Sequence, residues 1–208
     1  MSDSPTPVES ASAESSLIEL VGIMARLRAE CGWKAAQTHR TLAKHLLEET
    51  YETIEAIEAL DAGGSPDHLR EELGDVLLQV YLHAAIAAQA GEFDMEDVAR
   101  GLQEKMLRRN PHVFGDVQET DPARINDTWE SVKAAEKQRS GLLDAIPLEL
   151  PALSRAAKVL DRLDRAGTPV ALDPDELGDR LLALVVEARE TGVDPEQALR
   201  DAVRRVSG

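Results

Sequence analysis

Apolar residues return at helical spacing along most of this 208-residue chain. In residues 17–29, LIELVGIMARLRA, apolar and polar residues alternate at helical spacing. ECGW at 30–33 interrupts the pattern, and Thr38 is placed to cap a long helix over about 39–60. The stretch 61–67, DAGGSPD, is a loop by composition, punctuated by Gly63, Gly64 and Pro66. A second long helix is predicted over about 67–90. Its segment VLLQVYLHAAIAAQA is apolar on nearly every side, which places it at the centre of a core. Gly91 ends that helix, and Asp94 caps the next, MEDVARGLQEKMLRR, which stops at Asn110-Pro111. Asp121-Pro122 opens a further helix that runs through Lys137. Because the 61–67 loop is short, the 39–60 and 67–90 helices are antiparallel neighbours.

Composition agrees with an all-α fold. Ala, Leu, Glu and Arg dominate, and with aromatics at only 3% the core must be built from aliphatic side chains. The net charge of −16 argues against a duplex nucleic-acid partner, which calls for a basic patch that releases counterions. Cys31 is the single cysteine, so no intramolecular disulfide forms and a reducing compartment fits. Residues 1–16, MSDSPTPVESASAESS, are acidic and Ser-rich, with neither the basic nor the apolar region of a leader; they read as a disordered tail. No uninterrupted apolar run approaches the ~18 residues of a membrane span. The expectation is a soluble cytoplasmic protein.

Beyond residue 140 the chain repeats itself weakly. ELGD occurs at 72–75 and again at 176–179, and DMEDVARGLQEKM (94–106) lines up with DPEQALRDAVRRV (194–206). The expected organisation is a first domain at 17–139 and a shortened, degenerate second repeat at 140–208.

Candidate chemistry lies in LLEETYETIEAIEAL, residues 46–60. Five glutamates crowd that helix without a Lys or Arg among them, and like charges one turn apart repel. Glu49 and Glu52 share one face, with Glu48 beside them; across the hairpin Glu72 and Asp75 form a second i, i+3 pair, continued by Gln79. Gly74, between that pair, would let a backbone or ligand approach closely. Carboxylates converging from two packed helices raise one another's pKa or admit a cation. An all-oxygen set of this kind suits Mg²⁺ or Mn²⁺. Mg²⁺ usually completes its shell with water and substrate phosphates, so the pattern points to a phosphate-bearing substrate. Taken alone, however, EExxE is also the pattern of a solvated helix face, and both readings stay open on spacing. A di-iron site would want Glu-x-x-His, which neither acid pair provides; His83 reads as a hydrogen-bonded core histidine. Lys105, Arg108 and Arg109 close one helix, and Trp129 and Lys133 lie one turn apart on the next. They fit either dipole complementation and core filling or phosphate and base binding.

With these segments in order, the sequence resembles the MazG family of nucleoside triphosphate pyrophosphohydrolases. The family's EExxE and ExxD motifs correspond to Glu48-Glu49-x-x-Glu52 and Glu72-Leu-Gly-Asp75, and CGWKAAQTH, REELGDVLLQV, GEFDMEDVA and RRNPHVFGD match around them. The resemblance implies an all-α enzyme that uses Mg²⁺, with Mn²⁺ as a substitute, to hydrolyse NTPs or dNTPs to monophosphate and pyrophosphate, commonly in house-cleaning. By position it implies Glu49, Glu52, Glu72 and Asp75 as metal ligands and Glu48 as the residue that orients or deprotonates the attacking water. Lys105 and Arg109 would contact phosphates, and Trp129 the nucleoside. A homodimer is expected, because one hairpin leaves an apolar face for a second chain's helices.

Two departures narrow the expectation. Many relatives have Cys-Pro-Trp-Asp where this chain has Cys31-Gly32-Trp33-Lys34, and the second repeat keeps Glu176 and Asp179 but no EExxE helix. Activity is therefore expected in the first repeat. The rivals are an enzyme selective for one nucleotide, such as dUTP or dCTP, and an inactive metal-binding interaction protein.

Overall fold

The computed structural model describes residues 11–136, 141–144 and 146–207. Among them are ten helices and no strand: α1 (Ala11–Glu30), α2 (Gly32–Ala35), α3 (His39–Asp61), α4 (Pro66–Ala90), α5 (Met95–Arg109), α6 (Pro111–Phe114), α7 (Pro122–Glu136), α8 (Ala152–Arg165), α9 (Leu177–Glu190) and α10 (Pro195–Ser207). Of the tail expected over 1–16, residues 1–10 lie outside the described residues, and 11–16 are already helical. Ala11, Ala13 and Glu14 are good helix formers that extend the turn nucleated by the apolar stripe behind them.

Helix ends follow the side chains that satisfy them. At the start of α3, Thr38 Oγ1 accepts the Thr41 N–H at 3.2 Å while Thr41 Oγ1 accepts the Thr38 N–H at 2.9 Å, a reciprocal capping box. Asp94 and Asp97 repeat the device at α5, at 3.0 and 3.1 Å. Ser65 caps α4 ahead of Pro66, and Gly91, at φ 71°, closes it in the left-handed conformation that suits glycine.

The chain forms two compact units, Met1–Gln118 and Glu119–Gly208. The helix-free stretch 115–121 separates them, so α7 belongs to the second unit by its contacts, whereas the sequence organisation placed it before a boundary at 139/140. In the first unit α4 touches α1, α3 and α5. Met24, Leu42, Tyr81 and Leu82 are its buried core, with Leu20, Leu27, Leu77, Leu78, Ile86 and Met95 packed around them. Tyr81 donates its hydroxyl hydrogen bond to the Leu17 carbonyl at 2.8 Å, tying α4 to α1. Arg28 is also buried; it donates to Gln89 Oε1 on α4 at 2.7 and 3.0 Å and to the carbonyls of Lys34 and Gln37.

The expected central position of α4 is met, but full burial is not: Leu73 remains 52% exposed, and Ile57 on α3 49%. Two or three neighbouring helices cannot cover an all-round apolar helix. By length and composition α4 would also suffice to cross a membrane. The second unit packs α8, α9 and α10 against one another around Ile146, Leu160 and Val185.

Candidate functional site

The antiparallel contact of α3 with α4 brings the two acidic motifs together. One oxygen each from Glu49, Glu72 and Asp75 lie within 4.8 Å of one another. Thr53, one turn after Glu49, fixes the crossing: its hydroxyl donates to the Glu49 carbonyl at 2.8 Å and lies 3.4 Å from the Glu72 carbonyl. Glu72 is pinned from its own helix by His68, whose Nδ1 is 3.3 Å from Glu72 Oε1, and its side chain is only 13% exposed. Gln79, one turn beyond Asp75, donates from Nε2 to Glu49 Oε1 at 3.4 Å.

Electrostatics mark the same place. The Glu49 carboxyl is raised above its ordinary pKa, first by burial, then by the charges of Asp75 and Glu52 and by its hydrogen bond to the Glu52 side chain; the Gln79 contact acts weakly in the opposite direction. The other members of the motif lie differently. Glu52 is exposed and touches the cluster through Glu49 rather than joining the group of three. Glu48 is exposed too, and pairs with His45 Nδ1 at 2.9 Å. Gly74 faces open space, with no atom of this chain within 4 Å of where a Cβ would sit, so the close approach expected there is not made within the chain.

The donor set fits a small divalent cation. All ligand atoms are hard carboxylate oxygens, and their 4.8 Å spread is close to the roughly 4.2 Å across an octahedral Mg²⁺ shell with bonds of about 2.1 Å. Mutual crowding, which burdens Glu49 when ionised, is what a cation would relieve.

His45 links this cluster to a second feature. Its ring meets Trp33 edge-on, with centroids 6.1 Å apart, and the Lys34 ammonium sits 4.7 Å over the indole. Trp33, Gln37, Arg40, Thr41, Lys44 and His45 line an open cavity of about 470 Å³ between α2 and α3. Sequence reasoning left these cations and His45 out of the site, although His45 stands one turn before Glu48 and Glu49 and spacing alone could have found it. His68, one turn before Glu72, was missed in the same way.

The remaining candidates lie on other helices. Lys105 and Arg109 lie one turn apart on α5, in the first unit, Lys105 partly buried and Arg109 buried. Trp129 is partly buried on α7, in the second unit. There too lie the repeated acids: Asp179 Oδ2 accepts the Asp173 N–H at 2.8 Å, and Glu176 is the N-cap position of α9. The second ELGD thus serves helix entry.

Residues 37–114 match the family model described as the MazG nucleotide pyrophosphohydrolase domain. That span contains every acid of the cluster together with Lys105 and Arg109, and ends before Trp129. Over 90% of its length the chain is 41% identical to the Thermotoga maritima protein named nucleoside triphosphate pyrophosphohydrolase/pyrophosphatase MazG, covering 81% of that relative. It is 38% identical to the nucleoside triphosphate pyrophosphohydrolase of Escherichia coli K12, over 84% of this chain and 68% of the other. Among solved structures, a mazG-related protein from Thermotoga maritima is similar at 28% identity and a TM-score of 0.46, over 56% of this chain and 97% of that one.

Proposed function

The chain belongs to the MazG nucleotide pyrophosphohydrolase family, and from that premise we propose that it hydrolyses nucleoside triphosphates to monophosphates and pyrophosphate at the α3–α4 cluster. The observation that carries the reading is the convergence of Glu49, Glu72 and Asp75 within 4.8 Å from two helices. These three residues would hold Mg²⁺, or Mn²⁺ in its place, with Glu52, hydrogen-bonded to Glu49, as a fourth ligand. Bound there, the ion would supply charge neutralisation at phosphate oxygens and a lowered pKa for a coordinated water.

The protein's own groups do the rest. Glu48, steadied by His45, orients the attacking water or takes its proton. Lys105 and Arg109 offset charge on the triphosphate and the leaving pyrophosphate. Trp129 contacts the nucleoside, and Trp33, Arg40 and Lys44 offer an aromatic face and two cations beside the cluster, suited to a base and its phosphates. No covalent intermediate is required of the enzyme. Its substrates are NTPs and dNTPs, in a house-cleaning role on the nucleotide pool of the cytoplasm.

The working form is a homodimer. Leu47, Ile57 and Leu73 expose apolar surface on the same hairpin that carries the acids, and a second hairpin would cover it in a four-helix arrangement. The experiment is product analysis with each NTP and dNTP in Mg²⁺: monophosphate and pyrophosphate support the reading, and nucleoside diphosphate as product contradicts it.

A further inference from the structure

The polar stripe of α4 continues past the acids. Gln79 and His83 follow Asp75 at one-turn intervals on the face that carries it. Gln79 is only 4% exposed, and while its Nε2 reaches Glu49, its Oε1 is buried with no partner among the described residues. The same holds for His83 Nε2. Buried polar atoms are seldom left unmade, and a structural water is a common partner for those that no protein group reaches.

The other side of His83 determines which kind of atom its Nε2 is. His83 Nδ1 lies 2.7 Å from His39 Nδ1, with the two rings stacked at 9°. Such a contact needs one N–H and one lone pair. Burial, and behind it the charge of His39, holds His83 below its ordinary pKa, which favours the neutral ring. With the shared N–H carried by His39, His83 Nδ1 is the acceptor. His83 then keeps its single proton on Nε2. One turn apart stand a buried donor, His83 Nε2–H, and a buried acceptor, Gln79 Oε1, each complementing the other.

We propose that Gln79 is a positioning residue for Glu49, its amide locked by a buried water that accepts from His83 Nε2–H and donates to Gln79 Oε1. The lock keeps the NH₂ end turned to the Glu49 carboxylate. Without it the amide can rotate and oppose an oxygen to that carboxylate. The proposal rests on the reading of Glu49 as a cation ligand, and it gives His39 and His83, which the α3–α4 contact brings together, a part in shaping the site.

The test uses the full chain without nucleotide. Mn²⁺ binding is titrated calorimetrically for the wild type and for Gln79→Met, His83→Leu and His83→Gln, and the His83 tautomer is read from ¹⁵N NMR of the wild type. Gln79→Met weakens Mn²⁺ binding about tenfold, the effect of losing one hydrogen bond to a charged group. His83→Leu weakens it severalfold, and His83→Gln, which keeps an N–H donor at similar reach, restores it. A purely structural role would lower the thermal midpoint and leave the affinity of the folded protein unchanged. The NMR spectrum shows the Nε2–H tautomer. Wild-type affinity in a folded Gln79→Met, or an Nδ1–H tautomer at His83, overturns the proposal; the second measurement decides even if a variant fails to fold. A wild type that binds no Mn²⁺ overturns the cation reading itself and the proposal with it, an outcome distinct from equal binding by wild type and variant.

Discussion

Glu49 on α3 and Asp75 on α4 hold carboxylate oxygens within 4.8 Å of each other, and the Asp75 charge makes that of Glu49 harder to keep. Neither helix would place them so for its own stability. The cluster is a local cost in the metal-free protein, offset when a cation enters.

Asp75→Asn separates those two effects. Hydrolysis should fall by at least about a hundredfold, on the scale of removing one key electrostatic group from an active site. The metal-free variant should nevertheless melt no lower than the wild type, and higher near neutral pH, because one repelling charge is gone. Steady-state kinetics and thermal melts in EDTA check the pair of outcomes.

The pH dependence has a definite sign. Glu49's pKa is raised in the folded state above its ordinary 4.5, so the folded protein binds more protons than the unfolded chain in the window above that value. Its contribution is therefore fully favourable below pH 4.5 and is lost as pH rises through the elevated folded value. Melts in EDTA should show Glu49→Gln losing less stability than the wild type as pH rises across that window. Mg²⁺ should restore stability increasingly towards neutral pH, since it competes with the same proton.

Arg28 ties α1, the turn after α2 and the end of α4 through its bonds to Lys34, Gln37 and Gln89. Arg28→Met should cost about 2–4 kcal/mol in denaturant unfolding, since it strands buried acceptors. It should also loosen the short α2 that carries Trp33. In the folded variant KM should rise more than kcat falls, and Trp33→Ala should reproduce the KM effect without the loss of stability.

Ile57 is 49% exposed on the hairpin's apolar side. Light scattering coupled to size exclusion should give the wild type twice its 22.6 kDa chain mass, and Ile57→Asp the single chain mass. A variant that stays dimeric would place the interface elsewhere.

Much of this was legible in the sequence because helix ends are local. Thr38, Gly91 and Asp94 are visible as caps, and the predicted 39–60 and 67–90 stand beside observed helices His39–Asp61 and Pro66–Ala90. One-turn helices such as α2 and α6 carry too few residues to show a period. Spacing placed Glu49 near Glu52 and Glu72 near Asp75, but the closeness of one pair to the other depends on the hairpin's register. That register set Glu49, Glu72 and Asp75 together and left Glu52 and Glu48 at the exposed margin. His39 and His83, 44 residues apart, meet only through the same packing, which no periodicity reports. Gly74 leaves its side open, so of the two approaches expected there the one by this chain's own backbone is not made.

The most direct test of the account is chromatographic product analysis of the purified protein with Mg²⁺ and a nucleoside triphosphate, run beside Glu49→Gln and Asp75→Asn. The wild type should give monophosphate and pyrophosphate in equal amounts, with no turnover in EDTA and near-complete loss in both variants. Undiminished hydrolysis by the two variants, or a diphosphate product from the wild type, would contradict it.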